Sequence, residues 1–268
     1  TALNVTFKGE VRVDGNITIN ASGTVSFEQN VTLGAGGSLT ITGASLIVVK
    51  GIILNGGGNI VLEGDEINLI GGEESIGGTG TLTFRPATTN LPIEIASPPG
   101  TDSNNLNVTD TELLALKDGF SAIIFGRVSG GHALPGQGAV KLGVVRADQS
   151  NSFTDPLFIY GSSIDVADYS ASNKTFQTNS NITLDAVSDI TIKNTFLTTA
   201  DVVLYSESGK VRQLDDAVDA ISREPLTAVN LTVDSDDGID LGFLQVTTVI
   251  RALNKDTGDL KLNELATG

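Results

Sequence analysis

The fold is decided by residues 37–62, which read GSLTITGASLIVVKGIILNGGGNIVL. Short apolar segments alternate here with Gly and Asn, and the pair Leu39/Ile41 returns as Ile60/Leu62 after 21 positions. Two apolar residues with one residue between them are typical of a short strand with one buried face. The return of such strands at a fixed spacing indicates stacked repeats rather than a globular core.

Three interleaved series of these strands run through residues 1–84, in steps of 20 to 22 positions. Because each strand pairs with its equivalents one repeat away, like residues stack into continuous inward columns. The sequence therefore predicts an all-β protein, a right-handed parallel β-helix with three sides and about 21 residues per coil. The predicted inward pairs are Val5/Phe7, Val25/Phe27, Leu46/Val48 and Ile67/Leu69 in the first series, Val11/Val13, Val31/Leu33 and Ile52/Leu54 in the second, and Ile17/Ile19, Leu39/Ile41, Ile60/Leu62 and Leu82/Phe84 in the third.

Gly, Asn and Asp occupy the predicted corners, where a tight bend favours residues that accept positive φ. Eight Asn-x-Ser/Thr triplets begin at Asn4, Asn16, Asn20, Asn30, Asn107, Asn173, Asn181 and Asn230. In a secreted eukaryotic protein such triplets would indicate glycosylation. Here Asn suits a corner and Thr suits an outward strand position, so we interpret the triplets as a product of the fold.

The repeat is interrupted after Phe84, and we predict an insert over 85–122. Thr109 and Glu112 have the spacing of a capping box, which predicts a short helix between Asn107 and Gly119. The first part of the insert is predicted to be a loop because it is rich in proline: Pro86, Pro92, Pro98 and Pro99.

Strand pairs continue to the C terminus, so we predict a single solenoid over 1–268. Steps close to the coil length persist, from Ile182 to Val202 and from Ile239 to Leu260. Two stretches, 145–156 and 213–225, lack the strand pattern. We predict that both are protruding loops, the second with a helical turn.

The chain is strongly acidic, with 32 acidic and 16 basic side chains and a net charge of −16. Nucleic acid is therefore excluded as a partner, because phosphate binding needs a basic surface. We interpret the acidity as a solvated outer surface. No segment is apolar for long enough to span a membrane, so no membrane insertion is expected. Because the sequence begins at Thr1, we expect a processed form or a segment flanked by further repeats of a longer chain.

Residue types that carry catalysis are scarce. His132 is the only histidine and lies in a Gly-rich loop between Gly130 and Gly138, so any Ser-His-Asp arrangement must use it. We interpret it as an ordinary exposed loop residue and predict no catalytic and no cofactor-binding residue. Polysaccharide lyases and glycosidases also use parallel β-helices, and their sites need carboxylates and basic residues clustered across neighbouring coils. The sequence has no such motif. A carbohydrate-active enzyme on the outer face is therefore kept only as the alternative to a non-enzymatic protein.

One acidic turn is a candidate metal site. Oxygen ligands at alternate positions before Gly238 resemble the opening of a calcium loop, but the twelfth position is Gln245 rather than Glu. Ca²⁺ is therefore the one cofactor considered, and a polar corner between coils is the simpler interpretation. Asp256 and Asp259 follow one coil later and are expected to stack beside this turn. The candidate ligands are Asp234, Asp236, Asp237 and Asp240.

Two segments carry a resemblance to a known family. Residues 106–127, with a TDTELL turn, the Gly119-Phe120 pair and an IFGR ending, resemble an insert among the haemagglutinin-type repeats of very large bacterial surface proteins. Residues 1–84 are similar to filamentous-haemagglutinin-type repeats, with Gly-x-Leu-x-Ile coils such as Gly37 to Ile41. The resemblance implies a non-enzymatic rod of a secreted or surface adhesin, located outside the cell and presenting loops. Its partner is then a surface glycan or a receptor on a host or neighbouring cell.

Overall fold

The computed structural model describes residues 3–97, 104–143, 153–166, 175–193, 195–214 and 225–264. These residues form strands almost throughout, and the strands pair mainly in parallel. The chain divides into two compact units, Thr1–Gly126 and Arg127–Gly268. Each unit is a stack of coils, so the predicted all-β parallel solenoid is confirmed. The single solenoid over 1–268 stays a prediction.

The first unit is built from short strands that follow one another around each coil. In chain order they are β1 (Val5–Phe7), β2 (Val11–Val13), β3 (Ile17–Asn20), β4 (Thr24–Phe27), β5 (Val31–Ala35), β6 (Leu39–Ala44), β7 (Leu46–Val49), β8 (Ile53–Gly56), β9 (Ile60–Gly64), β10 (Ile67–Leu69), β11 (Ile76–Gly77), β12 (Thr81–Arg85), β13 (Ile93–Ser97), β14 (Leu106–Thr109) and β15 (Ala122–Phe125), with helix α1 (Asp110–Leu113) after β14.

Three sides make up each coil of the first unit. The first side is β1-β4-β7-β10, the second is β2-β5-β8-β11, and the third is β3-β6-β9-β12-β15. On the third side Ile60 pairs with Leu39 before it and Leu82 after it, and all three side chains are fully buried. The predicted third series is therefore confirmed.

On the second side the observed register differs from the predicted one. Val31 pairs with Ile53, and Ile53 is fully buried, whereas Ile52 is 39% exposed. The predicted inward pair Ile52/Leu54 is therefore wrong by one residue. In a strand a slip of one residue moves every side chain to the opposite face.

The first side shows the same slip, since Val25 pairs with Ile47 and not with Leu46. Ile47 is fully buried, and the predicted inward pair Leu46/Val48 is wrong. Both errors have one cause. In β7, and in β8 with the residue before it, the apolar residues are consecutive, so either register satisfies a period of two.

One corner column of the first unit consists of glycine. A Cβ atom on Gly58 would lie 2.2 Å from the carbonyl oxygen of Gly37, and one on Gly80 would lie 2.0 Å from that of Gly58. Gly15, at the start of the column, has nothing within 4 Å of such an atom. None of these glycines has a positive φ. Glycine is required here by the close approach of successive backbones, and not by the positive φ that the sequence suggested.

Asparagine side chains join successive coils at other corners. The Oδ1 atom of Asn16 accepts a hydrogen bond from the Ser38 backbone N–H, and Asn59 accepts one from Thr81, both at 3.0 Å and 22 positions apart. Each bond satisfies a backbone donor where the strand ladder is interrupted. Among the Asn-x-Ser/Thr residues, this bond to the next coil is made by Asn4, Asn16, Asn30 and Asn181. The geometry supports a structural role for these triplets.

The segment after β12 contains two strands and one helical turn. β13 and β14 pair in parallel, and Thr109 caps α1 in a complete capping box with Glu112. The helix ends at Leu113, earlier than predicted, because the chain returns to the stack through a parallel bridge between Leu116 and Ile76. The proline-rich residues 98–100 lie outside the described residues.

Glu112 contacts β10, the last strand of the first side of the unit. Its Oε1 atom accepts a hydrogen bond from the Leu69 backbone at 3.2 Å, and its Oε2 atom accepts one from the Thr109 backbone at 2.9 Å. Burial raises the pKa of the Glu112 carboxyl, although these hydrogen bonds act in the opposite direction. Burial also raises the pKa of Glu66, and the nearby Glu112 charge raises it further.

The second unit repeats the three-sided arrangement. Its sides are β18-β20-β23-β26-β28-β29, β19-β22-β25-β27-β28 and β21-β24-β27-β28, and the long strands β27 and β28 each take part in more than one side. The strands are β16 (Val128–Ser129), β17 (His132–Ala133), β18 (Val140–Leu142), β19 (Leu157–Gly161), β20 (Ile164–Val166), β21 (Thr175–Thr178), β22 (Ile182–Ala186), β23 (Ile190–Ile192), β24 (Thr195–Thr198), β25 (Val202–Ser206), β26 (Val211–Gln213), β27 (Leu226–Ser235), β28 (Ile239–Asn254) and β29 (Leu260–Glu264).

The coil length predicted for this half is confirmed. Ile182 pairs with Val202 and Ile239 pairs with Leu260. The loops predicted at 145–156 and 213–225 fall largely on 144–152 and 215–224, which lie outside the described residues. Within the part of the chain that the structure describes, no helix is long and apolar enough to cross a membrane.

Candidate functional site

The predicted calcium ligands lie in the second unit, where β27 leads into β28. We call residues 234–240 the acidic turn. The following turn, residues 254–259, stacks on it, since Asp256 and Thr257 donate backbone hydrogen bonds to the carbonyl of Asp236 at 3.2 and 3.0 Å. This contact is the one that a coil step of 20 residues predicts.

Lysine side chains accompany two carboxylates of the acidic turn. Asp234 Oδ1 lies 2.7 Å from Lys255 Nζ, and this hydrogen bond raises the pKa of Lys255. Asp237 Oδ1 accepts a hydrogen bond from the Thr257 hydroxyl at 2.9 Å, and its Oδ2 lies 3.8 Å from Lys210 Nζ. A calcium ion at this turn would have to compete with both lysines.

Asp240 belongs to a different outward column. Strand pairing places it between Arg212 and Lys261, so its neighbours along the column are cationic. In the described ranges no group of three or more His, Cys, Asp or Glu side chains is arranged to hold a metal ion. Calcium binding at the acidic turn stays a prediction, and it requires these carboxylates to reorient.

A β-hairpin packs on the same unit, where the sequence predicts a Gly-rich loop. β16 and β17 pair in antiparallel fashion, and the turn between them uses Gly130 and Gly131, with φ of 63° and 91°. Gln137 closes the base, because its side chain accepts from the Arg127 N–H at 2.9 Å and donates to the Arg127 carbonyl at 3.2 Å. We call residues 127–137 the hairpin.

Asp185 at the outer face of β22 fastens the hairpin. Its Oδ1 atom accepts a hydrogen bond from the Ala133 backbone, and its Oδ2 atom lies 2.9 Å from His132 Nδ1, the same length as the first bond. The side chain of Asp185 is only 4% exposed, whereas that of His132 is 51% exposed. Burial raises the pKa of the Asp185 carboxyl, and the hydrogen bonds from Ala133 and His132 act in the opposite direction.

Tyr205 lies directly beneath the imidazole of His132. The two ring centroids are 4.1 Å apart and the ring planes are inclined by 31°. Lys255 Nζ lies 4.8 Å from the centroid of the same tyrosine ring. Strand register places Tyr205 between Asp185 and Asp234 on three successive coils. We call this group the Tyr205 surface, which consists of His132, Asp185, Tyr205, Asp234 and Lys255.

The sequence singles out His132 and Asp234 but does not connect them. His132 is exposed as predicted, yet it is bonded to a nearly buried carboxylate 53 positions away. That contact depends on how the hairpin folds back, which no local pattern reveals. The one signal for Asp185 was its outward strand position beside the apolar residues Leu184 and Ala186.

Comparison with known proteins identifies a family through the same repeats. A family model described as haemagglutinin repeat matches residues 12–71, 50–84 and 145–242. The matched segments lie in both units and together cover more than half of the chain. No curated protein and no solved structure matches the chain.

Proposed function

The chain belongs to the haemagglutinin repeat family, and from this membership we propose that it is a non-enzymatic structural segment of a bacterial cell-surface or secreted adhesin. The segment extends the adhesin and presents loops for attachment. The family belongs to secreted or surface exoproteins. We therefore propose an extracellular or outer-surface location for this chain, with a surface glycan or a cell receptor as its partner.

The stacked coils with a hairpin on their outer face are the observation that carries this proposal. Each coil pairs in register with the next, so a further coil lengthens a stack by about 4.8 Å without altering its sides. Such a scaffold suits extension. The hairpin fastened by Asp185 is the kind of element that an adhesin presents.

Flanking repeats of a longer chain are the proposed neighbours of the terminal coils. In the first coil Val5 and Phe7 are only half-buried, whereas Val25 and Phe27, with which they pair, are fully buried. A further coil against the first would bury Val5 and Phe7 in the same way. Burial of this apolar surface would stabilise the contact.

The alternative is a carbohydrate-active enzyme on the outer face. Such an enzyme needs a general acid whose surroundings keep its proton in place. Outward carboxylates such as Glu63 and Asp234 are occupied in ion pairs with Arg85 and Lys255. The match to the haemagglutinin repeat favours the adhesin, which is therefore the better supported function.

Cell attachment and polysaccharide turnover, measured on the same purified chain, separate the two functions. We expect attachment to host or neighbouring bacterial cells and no release of reducing ends from neutral or acidic polysaccharides. Release that is lost in the Asp236→Ala/Asp237→Ala double variant would establish the enzyme instead. Failure to attach to any cell type tested would contradict the presenting role.

A further inference from the structure

We propose that the Tyr205 surface is a binding site for a neutral saccharide. The inference rests on the proposed adhesive function and assigns it to named residues. It follows from three features of the second unit. The buried carboxylate of Asp185 holds the hairpin, the rings of His132 and Tyr205 are fixed against each other while the imidazole stays half exposed, and polar groups lie on three successive coils.

The burial of Asp185 is more than a spacer segment needs. A carboxylate removed from water costs free energy unless it is well bonded, and an apolar residue would cover the same strand more simply. Both oxygens of Asp185 are instead used to hold His132 and Ala133 of the hairpin. Local departures from the most stable choice are characteristic of functional sites.

The aromatic pair is fixed before any ligand arrives. Nδ1 of His132 is held by Asp185 and its ring rests on Tyr205, so the imidazole has little freedom left to lose on binding. Half of the imidazole side chain nevertheless remains exposed. Among the described residues its other ring nitrogen, Nε2, has no hydrogen-bond partner. A ligand can therefore pack on a rigid ring and bond to Nε2 at its edge.

The polar groups around the rings suit hydroxyl groups. Lys255 Nζ is a donor and Asp234 is an acceptor, and the two lie 2.7 Å apart beside the Tyr205 ring. A pyranose offers a C–H face for aromatic rings and hydroxyls that both donate and accept. His132 is held at the rung of Asp185, and Tyr205 and Asp234 occupy the next two rungs, so the accessible surface extends over roughly 10 Å, two strand spacings, about the length of a disaccharide.

Charge decides which class of saccharide fits. Asp234 is paired with Lys255, and Asp185 is buried beneath the hairpin that it holds, so both carboxylates already have partners within the surface. The whole chain carries a net charge of −16, which repels sulfated and carboxylated glycans at longer range. The surface therefore favours a neutral di- or trisaccharide.

An array of immobilised neutral di- and trisaccharides, with heparin as the anionic comparison, tests the site. The parent chain is compared with His132→Ala and Lys255→Ala, which change two exposed side chains on separate elements. Lys210→Ala is the matched control, because Lys210 is also an exposed lysine beside an aspartate of the acidic turn but does not touch Tyr205. Melting temperatures of all four proteins establish that each is folded.

We expect the parent to retain at least one neutral saccharide. His132→Ala and Lys255→Ala should each weaken that binding by about tenfold or more, the loss typical of a hydrogen bond whose partner is left unpaired, while Lys210→Ala stays within about twofold. Equal binding by the parent and both site variants would refute this site and leave the adhesive function standing. Retention on heparin alone, or on nothing, would refute the saccharide class, and the cell-attachment assay would then decide the adhesive function separately.

Discussion

Neighbouring isoleucines before and in β8 allow a matched test of how this chain packs. Ile53 is fully buried, with Val31 as its partner on one side and Ile76 on the other. Ile52 is 39% exposed. Ile53→Ala should cost about 2–5 kcal/mol, because it removes buried methyl groups and leaves a cavity between two rungs. Ile52→Ala should cost no more than about 0.5–1 kcal/mol.

Thermal denaturation followed by circular dichroism measures the difference. A domain of this size shifts by about 2–4 °C per kcal/mol, so Ile53→Ala should lower the melting temperature by roughly 5–15 °C and Ile52→Ala by about 1–3 °C. Because coils contact only their neighbours, hydrogen exchange should accelerate first in β5, β8 and β11.

Equal shifts for the two variants, or a larger shift for Ile52→Ala, would refute the observed register of β8. Ile60→Asp provides a reference on the third side, where prediction and structure agree. It places an unpaired charge between Leu39 and Leu82 and should cost several kcal/mol. A melting temperature within a degree or two of the parent would remove Ile60 from the core.

Three further outcomes are expected. Gly58→Ala should lower the melting temperature by several degrees, because its Cβ would lie 2.2 Å from a backbone carbonyl oxygen. Gly15→Ala is the control, since its Cβ would have nothing within 4 Å and the melting temperature should stay nearly unchanged; equal effects would contradict the close approach of the corners. Burial raises the pKa of Glu112 above its unfolded value of about 4.3, so the contribution of Glu112 to stability is greatest below that pH and is lost as the pH rises through the folded pKa. Glu112→Gln should remove this loss from melting curves recorded above about pH 4, and an unchanged pH dependence would exclude Glu112 as its source. If the acidic turn binds Ca²⁺, chelation should lower the melting temperature by at most a few degrees and added Ca²⁺ should restore it. The Asp236→Ala/Asp237→Ala double variant should abolish this response, and a response that survives in the double variant would place the ion elsewhere.

The fold could be predicted from the sequence wherever apolar and polar residues alternate. Leu39-Thr-Ile41 and its equivalents have only one register that buries the apolar side chains, and the third side was predicted correctly for that reason. In Leu46 to Val49 apolar and polar residues do not alternate, and the register is set by pairing with the strands of the neighbouring coils. Local periodicity cannot contain that information.

The candidate site was less predictable because its contacts are distant in sequence. Asp234 and Lys255 are one coil apart, a spacing that the repeat implies once the coils are aligned. His132 and Asp185 are joined by a hairpin that departs from the repeat, so no period relates them. Asp240 was grouped with Asp234 by proximity in the chain, but it follows the turn and faces another column.

The asparagine bonds between coils have a consequence for how a chain of this kind changes in evolution. Each bond joins positions about one coil apart, 22 residues in Asn16 to Ser38 and again in Asn59 to Thr81. Recombination that duplicates or deletes one whole coil leaves every asparagine opposite an equivalent amide, whereas a single inserted residue inside a strand turns its apolar side chains outward. Related genes should therefore differ in length by complete coils, and the distance to which such a protein reaches can change in fixed steps without a new fold.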